Sequence, residues 1–99
     1  ELIIIGAHTG WPWHEELLAL IGHKPNVYMD LSGWSPRYIP ATVLDAARRR
    51  LSEKMLFGSD YPFITPERWL ADFEALDGFS PEVRHKILYE NAARILRLA

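Results

Sequence analysis

A carboxylate follows directly after an apolar run in the stretch LFGSDYPF, residues 56 to 63. The acid is Asp60, and Gly58 and Ser59 separate it from the run. A carboxylate beside an apolar core is destabilising unless a cation, a metal ion or several hydrogen bonds compensate it. The position therefore predicts a partner for Asp60, with the alternative that it caps the next helix or accepts backbone N–H bonds.

A histidine occupies the equivalent place after an earlier apolar run, LIIIGAH at residues 2–8. Histidine changes its charge nearest neutral pH, so His8 is a candidate for proton transfer. The alternative is a neutral imidazole satisfied by a carbonyl group. Surface or helix-capping roles are expected for His14, His23 and His85.

Aromatic side chains cluster in the segments that follow the apolar runs. They favour an apolar pocket for an aromatic or unsaturated acid, and packing over the fold is the alternative. Arg37 lies among them, and its guanidinium is suited to pairing with a substrate carboxylate; the alternative is that it faces solvent. The candidate substrate-binding residues are Trp11, Trp13, Trp34, Arg37, Tyr61 and Phe63, whereas Trp69 is assigned to the core.

Strand-like segments alternate with helix-like segments along the chain. This alternation predicts an α/β fold with parallel strands, whose ligand sites form beyond the carboxyl ends of the strands. His8 and Asp60 both stand at that end. The predicted strands are 2–8, which is expected to be buried on both faces, 26–33 and 54–60, and the three βα units are 1–25, 26–53 and 54–99.

Proline and hydroxyl residues mark the starts of two predicted helices. Thr65 precedes Pro66 and Ser80 precedes Pro81, and each pair is typical of an N-cap followed by the first helical position. The predicted helices run over 14–21, from Pro40 to Leu51, over 65–76 and from Ser80 to Leu96.

The composition of the chain restricts its class. Of its 99 residues 48% are hydrophobic and 24% charged, which supports a folded core rather than a disordered or fibrous chain. A net charge of −2 gives no basic surface for nucleic acid or an anionic membrane, and no apolar run is long enough to span a bilayer. Without cysteine there is no disulfide or thiolate chemistry, and a cytoplasmic location is predicted.

Four segments carry a family resemblance: AHTGWPW (7–13), NVYMDLSGW (26–34), LFGSDYPFITPERW (56–69) and ENAARIL (90–96). In this order they resemble the C-terminal part of the amidohydrolase-2 family. Its members are metal-dependent TIM-barrel hydrolases and decarboxylases related to aminocarboxymuconate-semialdehyde decarboxylase. The resemblance covers essentially the whole chain and implies strands six to eight of a (β/α)₈ barrel, incomplete as given.

The resemblance also implies roles for two residues. Asp60 matches the metal-binding acid of the strand-eight element, and His8 matches the strand-six histidine that assists the chemistry or binds a second metal in binuclear relatives. The implied cofactor is a divalent metal, zinc or alternatively manganese. The family's strand-one His-x-His or Glu-x-His pair and strand-five histidine have no counterpart here. Catalytic zinc takes three protein ligands, so the isolated chain is expected to bind metal weakly and to be inactive.

The implied activity is hydrolysis, decarboxylation or hydration of a small organic acid or amide. The expected partners are a small-molecule substrate and either the missing part of the barrel or further copies of the chain. The alternative function is a small non-catalytic α/β interaction module. A serine hydrolase is disfavoured because the sequence has no G-x-S-x-G motif.

Overall fold

The chain forms a parallel three-stranded sheet with helices after each strand, and the computed structural model describes residues 2–98. The strands β1 (Ile4–Gly6), β2 (Val27–Asp30) and β3 (Met55–Leu56) lie side by side in that order. Val27 pairs with Ile4 of β1, and Met29 pairs with Met55 of β3. The predicted α/β class with parallel pairing is confirmed, although each strand is shorter than predicted.

Helical segments follow each strand. They are α1 (His14–His23), α2 (Ala41–Arg48), α3 (Pro66–Glu74), α4 (Pro81–His85) and α5 (Asn91–Ile95). A π-helical turn, Lys86–Glu90, joins α4 to α5 with helical backbone angles at both junctions, so a helical path continues to Ile95. Among residues 2–98, no helix is both long enough and apolar enough to cross a membrane.

Both predicted N-caps are present. The Thr65 hydroxyl accepts a hydrogen bond from the backbone N–H of Arg68 at 3.2 Å, and the Ser80 hydroxyl accepts one from that of Val83 at 3.2 Å. Each cap satisfies a backbone donor that has no partner within its own helix, which contributes roughly 1 kcal/mol. The Thr65 cap fixes where α3 begins after the loop that carries Asp60, and the Ser80 cap fixes the start of α4.

The core lies between the sheet and the helices. Trp69 of α3 is fully buried, as predicted, and its indole N–H donates to the carbonyl of Leu31 at 3.2 Å. Asn91 is also fully buried, and its side-chain amide donates to the carbonyls of Ser52 and Met55 at 2.7 and 2.8 Å. These bonds attach α3 and α5 to the ends of β2 and β3.

The prediction that the first strand is buried on both faces is wrong. Ile3, Ile4 and Ile5 remain 42%, 45% and 41% exposed. β1 is an edge strand that pairs with β2 on one side only, so within residues 2–98 its other edge has no strand beside it. The last helix also ends one residue sooner than predicted, at Ile95, and Leu96 after it is exposed.

Candidate active site

His8 and Asp60 meet at the carboxyl ends of the strands. His8 follows β1 and Asp60 follows β3, yet His8 Nε2 lies 3.8 Å from Asp60 Oδ2. Their side chains are 47% and 39% exposed, so both remain accessible to a ligand. The structure thus brings together the two residues that the sequence singled out, although their chemical roles remain predictions.

The backbone at both residues is left-handed. φ is 56° at His8, 58° at Thr9 and 74° at Asp60. Residues with a Cβ adopt this region at a cost of roughly 1–2 kcal/mol, and such strain is concentrated at functional sites. Thr9 is buried, and its hydroxyl donates to the carbonyl of His8 at 2.6 Å, which holds the strained turn in place.

Residues at and just after the end of β2 hold His8 in place through hydrogen bonds. Oδ1 of Asp30 accepts hydrogen bonds from the backbone N–H of Ser32 at 2.8 Å, from that of His8 at 3.3 Å and from the Ser32 hydroxyl. The Ser32 hydroxyl in turn lies 2.9 Å from Nδ1 of His8. Sequence reasoning gave Asp30 and Ser32 no role. The available signal was an acid two residues before a serine at a strand end, where aspartate commonly bonds the backbone two residues on.

A glycine allows the imidazole to sit this close to the second strand. Gly33 has φ +89°, and a Cβ built there would lie 2.5 Å from His8 Nδ1. That distance is shorter than any side chain tolerates, so the ring of His8 occupies the space that a Gly33 side chain would take.

An aromatic cavity lies at the same end of the sheet as the His8–Asp60 pair, although neither of these two side chains lines it. Its volume is about 360 Å³, and its wall includes Trp34, Tyr38, Phe63 and Arg68. Trp11 packs on Trp34 with ring centroids 5.5 Å apart. Of the predicted substrate-binding residues, Trp34 and Phe63 therefore line this cavity directly and Trp11 supports it.

The remaining predicted substrate-binding residues lie outside the cavity wall. Trp13 and Tyr61 are 66% and 72% exposed. Arg37 is exposed, and its guanidinium donates to the Tyr38 hydroxyl at 2.9 Å, which raises the pKa of Arg37. Sequence reasoning gave Tyr38 and Arg68 no role: Tyr38 lies outside the four quoted segments, and Arg68 lies within LFGSDYPFITPERW but was not singled out there.

A serine from the second strand-end loop secures α3 next to this cavity. The Ser35 hydroxyl donates to Oδ2 of Asp72 at 2.7 Å. This hydrogen bond, with the nearby guanidinium of Arg68, lowers the pKa of the Asp72 carboxyl.

A larger open cavity of about 550 Å³ lies at the other end of the strands. Lys54 lines it and donates to the carbonyls of Lys24 and Pro25 at 2.9 and 3.3 Å, and its partial burial lowers the pKa of Lys54. Parallel sheets place their ligand sites at the carboxyl ends of the strands, so the His8–Asp60 end is the candidate site although this cavity is larger.

The donor atoms of the His8–Asp60 pair suit part of a metal site. Imidazole nitrogen and carboxylate oxygen are both zinc ligands, and the two atoms face each other across 3.8 Å. Within residues 2–98, however, no group of three or more His, Cys, Asp or Glu side chains is arranged to hold a metal ion. Since catalytic zinc takes three protein ligands, the pair fits an incomplete ligand set.

The fold is similar to that of longer TIM-barrel proteins. An uncharacterised TIM-barrel protein from Bordetella bronchiseptica superposes with a TM-score of 0.85 at 31% identity, covering 97% of this chain and 34% of that one. 2,6-Dihydroxybenzoate decarboxylase from Rhizobium superposes with a TM-score of 0.72 at 21% identity, covering 98% of this chain and 35% of that one. The chain thus spans about a third of these structures and matches part of a barrel.

The same part of a barrel is matched by a 2,6-dihydroxybenzoate decarboxylase complexed with 2,6-dihydroxybenzoate, with a TM-score of 0.71 at 23% identity. That match covers 98% of this chain and 35% of the decarboxylase. No curated protein matches the sequence. The sequence profile of the amidohydrolase-2 family, a family of amidohydrolases, matches residues 1–98. The chain therefore belongs to the amidohydrolase-2 family.

Proposed function

We propose that this chain forms about a third of the barrel of a metal-dependent hydrolase or decarboxylase and contributes His8 and Asp60 to its active site. The proposed substrate is a small aromatic or unsaturated acid, or its amide. The observation that carries the proposal is the approach of His8 Nε2 to within 3.8 Å of Asp60 Oδ2 at the carboxyl edge of the sheet. Family membership supports the same assignment. The rest of the site comes from the remaining part of the barrel, so the isolated chain is inactive.

Asp60 acts as a metal ligand in this proposal. Within residues 2–98 its carboxylate forms no ion pair with a lysine or arginine and faces only the imidazole of His8. Its negative charge therefore stays available for a cation. A divalent metal, zinc or alternatively manganese, would supply a Lewis acid that polarises a carbonyl group and acidifies water.

His8 transfers a proton at Nε2. Its Nδ1 is engaged by Ser32, whereas Nε2 is the ring nitrogen that points to Asp60 and the strand-end surface. In hydrolysis this nitrogen would accept the proton of the attacking water, and in decarboxylation the imidazolium would deliver a proton to the carbon that loses CO₂. Nε2 of His8 therefore serves either reaction from the same position.

The aromatic cavity suits the proposed substrate class. The rings of Trp34 and Phe63 offer apolar faces to a flat substrate. The guanidinium of Arg68, whose Nε donates to Asp72 at 3.4 Å, offers its terminal nitrogens to a carboxylate. The cavity is open, and the residues of this chain form only part of its wall, in keeping with a site that other barrel strands complete.

The test uses the complete enzyme that contains this chain, supplied with a panel of aromatic and unsaturated acids and their amides. Release of CO₂ or of amine is measured with and without a metal chelator. We expect chelator-sensitive turnover that His8→Ala lowers by roughly 10²–10⁴-fold. The matched control is His23→Ala, because His23 is exposed at the end of α1, and it should keep full activity.

Full turnover in His8→Ala, or activity that the chelator does not affect, would overturn this proposal. Absence of turnover on every acid and amide, together with stable binding of another protein by the strand-end loops, would instead support the interaction module.

A further inference from the structure

Three side chains form a continuous hydrogen-bonded series at the strand ends. Asp30 bonds the Ser32 hydroxyl, and that hydroxyl lies 2.9 Å from Nδ1 of His8. Ser32 is buried with 6% of its surface exposed, so this hydroxyl is shielded from competing water. The series ends at the imidazole whose other nitrogen faces Asp60.

The direction of each bond in the series is determined by the number of protons available. Oδ1 of Asp30 also accepts two backbone N–H bonds, from His8 at 3.3 Å and Ser32 at 2.8 Å, so this oxygen is an acceptor. The Ser32 hydroxyl has a single proton and donates it to Asp30. Ser32 can then only accept from His8, which requires the proton of the neutral imidazole to be on Nδ1.

We propose that Ser32, oriented by Asp30, is a positioning residue that holds His8 in the tautomer protonated at Nδ1 and leaves the lone pair of Nε2 directed into the site. The importance of that lone pair for turnover rests on the proposed function, whereas the tautomer follows from the hydrogen bonds alone. The tautomer of a histidine is set by the bond that its other nitrogen makes, and here that bond is made to Ser32, which follows β2.

This arrangement decides what His8 offers to a ligand. With the proton on Nδ1, Nε2 can accept a proton or bind a metal ion. With the proton on Nε2, the same ring would present an N–H donor and could do neither. Ser32 therefore controls the chemistry without touching the substrate.

The inference is tested by ¹⁵N NMR of the complete protein carrying ¹⁵N-labelled histidine, at alkaline pH, before and after chelation of divalent metals. The His8 signals are those lost in His8→Ala. We expect a protonated, pyrrole-type Nδ1 and an unprotonated Nε2 under both conditions. A pyridine-type Nδ1 in the unmutated, metal-free protein would overturn the inference, whatever the variants show.

Ser32→Ala supplies the second arm, with Ser35→Ala as the matched control. Ser35 is a buried serine of the same loop whose hydroxyl bonds Asp72 instead of His8. Ser32→Ala should shift His8 away from the Nδ1–H tautomer and lower kcat by about 10–100-fold with little change in KM, and Ser35→Ala should leave the tautomer unchanged.

An unchanged tautomer in folded Ser32→Ala would overturn the inference. The spectrum is read without turnover, so it supports or overturns the tautomer even where the activity of His8→Ala overturns the proposed function.

Discussion

Replacing Gly33 with alanine should disable His8 without removing the imidazole. The added Cβ would lie 2.5 Å from Nδ1 of His8, whereas an ordinary contact is roughly 3.5 Å, so the ring must retreat by about 1 Å. A displacement of that size in a catalytic group costs on the order of 10²-fold in rate. The positive φ of +89° adds roughly 1–2 kcal/mol of strain that lowers stability.

The assay for Gly33→Ala combines kcat, bound metal and thermal unfolding in the complete enzyme. We expect a folded protein with its metal retained and kcat lowered by about 10²-fold. Gly78→Ala is the matched control, since Gly78 has φ +87° and the three atoms nearest its added Cβ all belong to the flexible side chain of Arg48, with Nε at 2.8 Å. We expect Gly78→Ala to lower stability by a similar amount and to leave kcat unchanged. Wild-type kcat in folded Gly33→Ala, or an equal loss of kcat in Gly78→Ala, would refute the reasoning.

Three further predictions concern stability and assembly. Asn91→Ala should lower the free energy of unfolding by about 2 to 4 kcal/mol in denaturant titrations, because two buried carbonyls, of Ser52 and Met55, lose their donor, and an unchanged midpoint would contradict this. The lowered pKa of Asp72 stabilises the fold above the ordinary pKa of the carboxyl, and this contribution is lost as the pH falls through the lowered value. Ser35→Ala should therefore move acid unfolding, followed by circular dichroism, to higher pH, and a superimposable acid limb would be inconsistent with that bond. The isolated chain should self-associate through the exposed edge of β1, so a concentration-independent monomer in sedimentation would argue against an incomplete barrel.

Local signals in the sequence predicted much of the fold. Thr65 and Ser80 cap helices because a hydroxyl followed by proline satisfies a free backbone donor, which needs no distant partner. The order of apolar segments likewise predicted parallel strands and placed His8 and Asp60 at the same end.

Features that depend on distant contacts were not predictable. The left-handed backbone at His8 and Asp60 is imposed by the surrounding structure, since neither residue type prefers it strongly enough to signal it. The bond from Ser32 to His8 joins residues 24 apart in sequence. The exposure of β1 depends on which strands lie beside it, which the apolar pattern of residues 2–8 does not report.

The role of Asp60 as a metal ligand is tested most directly by the metal content of the complete enzyme. Inductively coupled plasma mass spectrometry, with turnover measured on the same samples, compares Asp60→Ala, His8→Ala and Asp77→Ala, where Asp77 is an exposed acid beyond α3. We predict that Asp60→Ala loses metal and activity together. His8→Ala should keep its metal while losing activity, or should lose one of two ions if the site is binuclear, and Asp77→Ala should retain both metal and activity. Full metal with near-normal turnover in both Asp60→Ala and His8→Ala would contradict the proposed site.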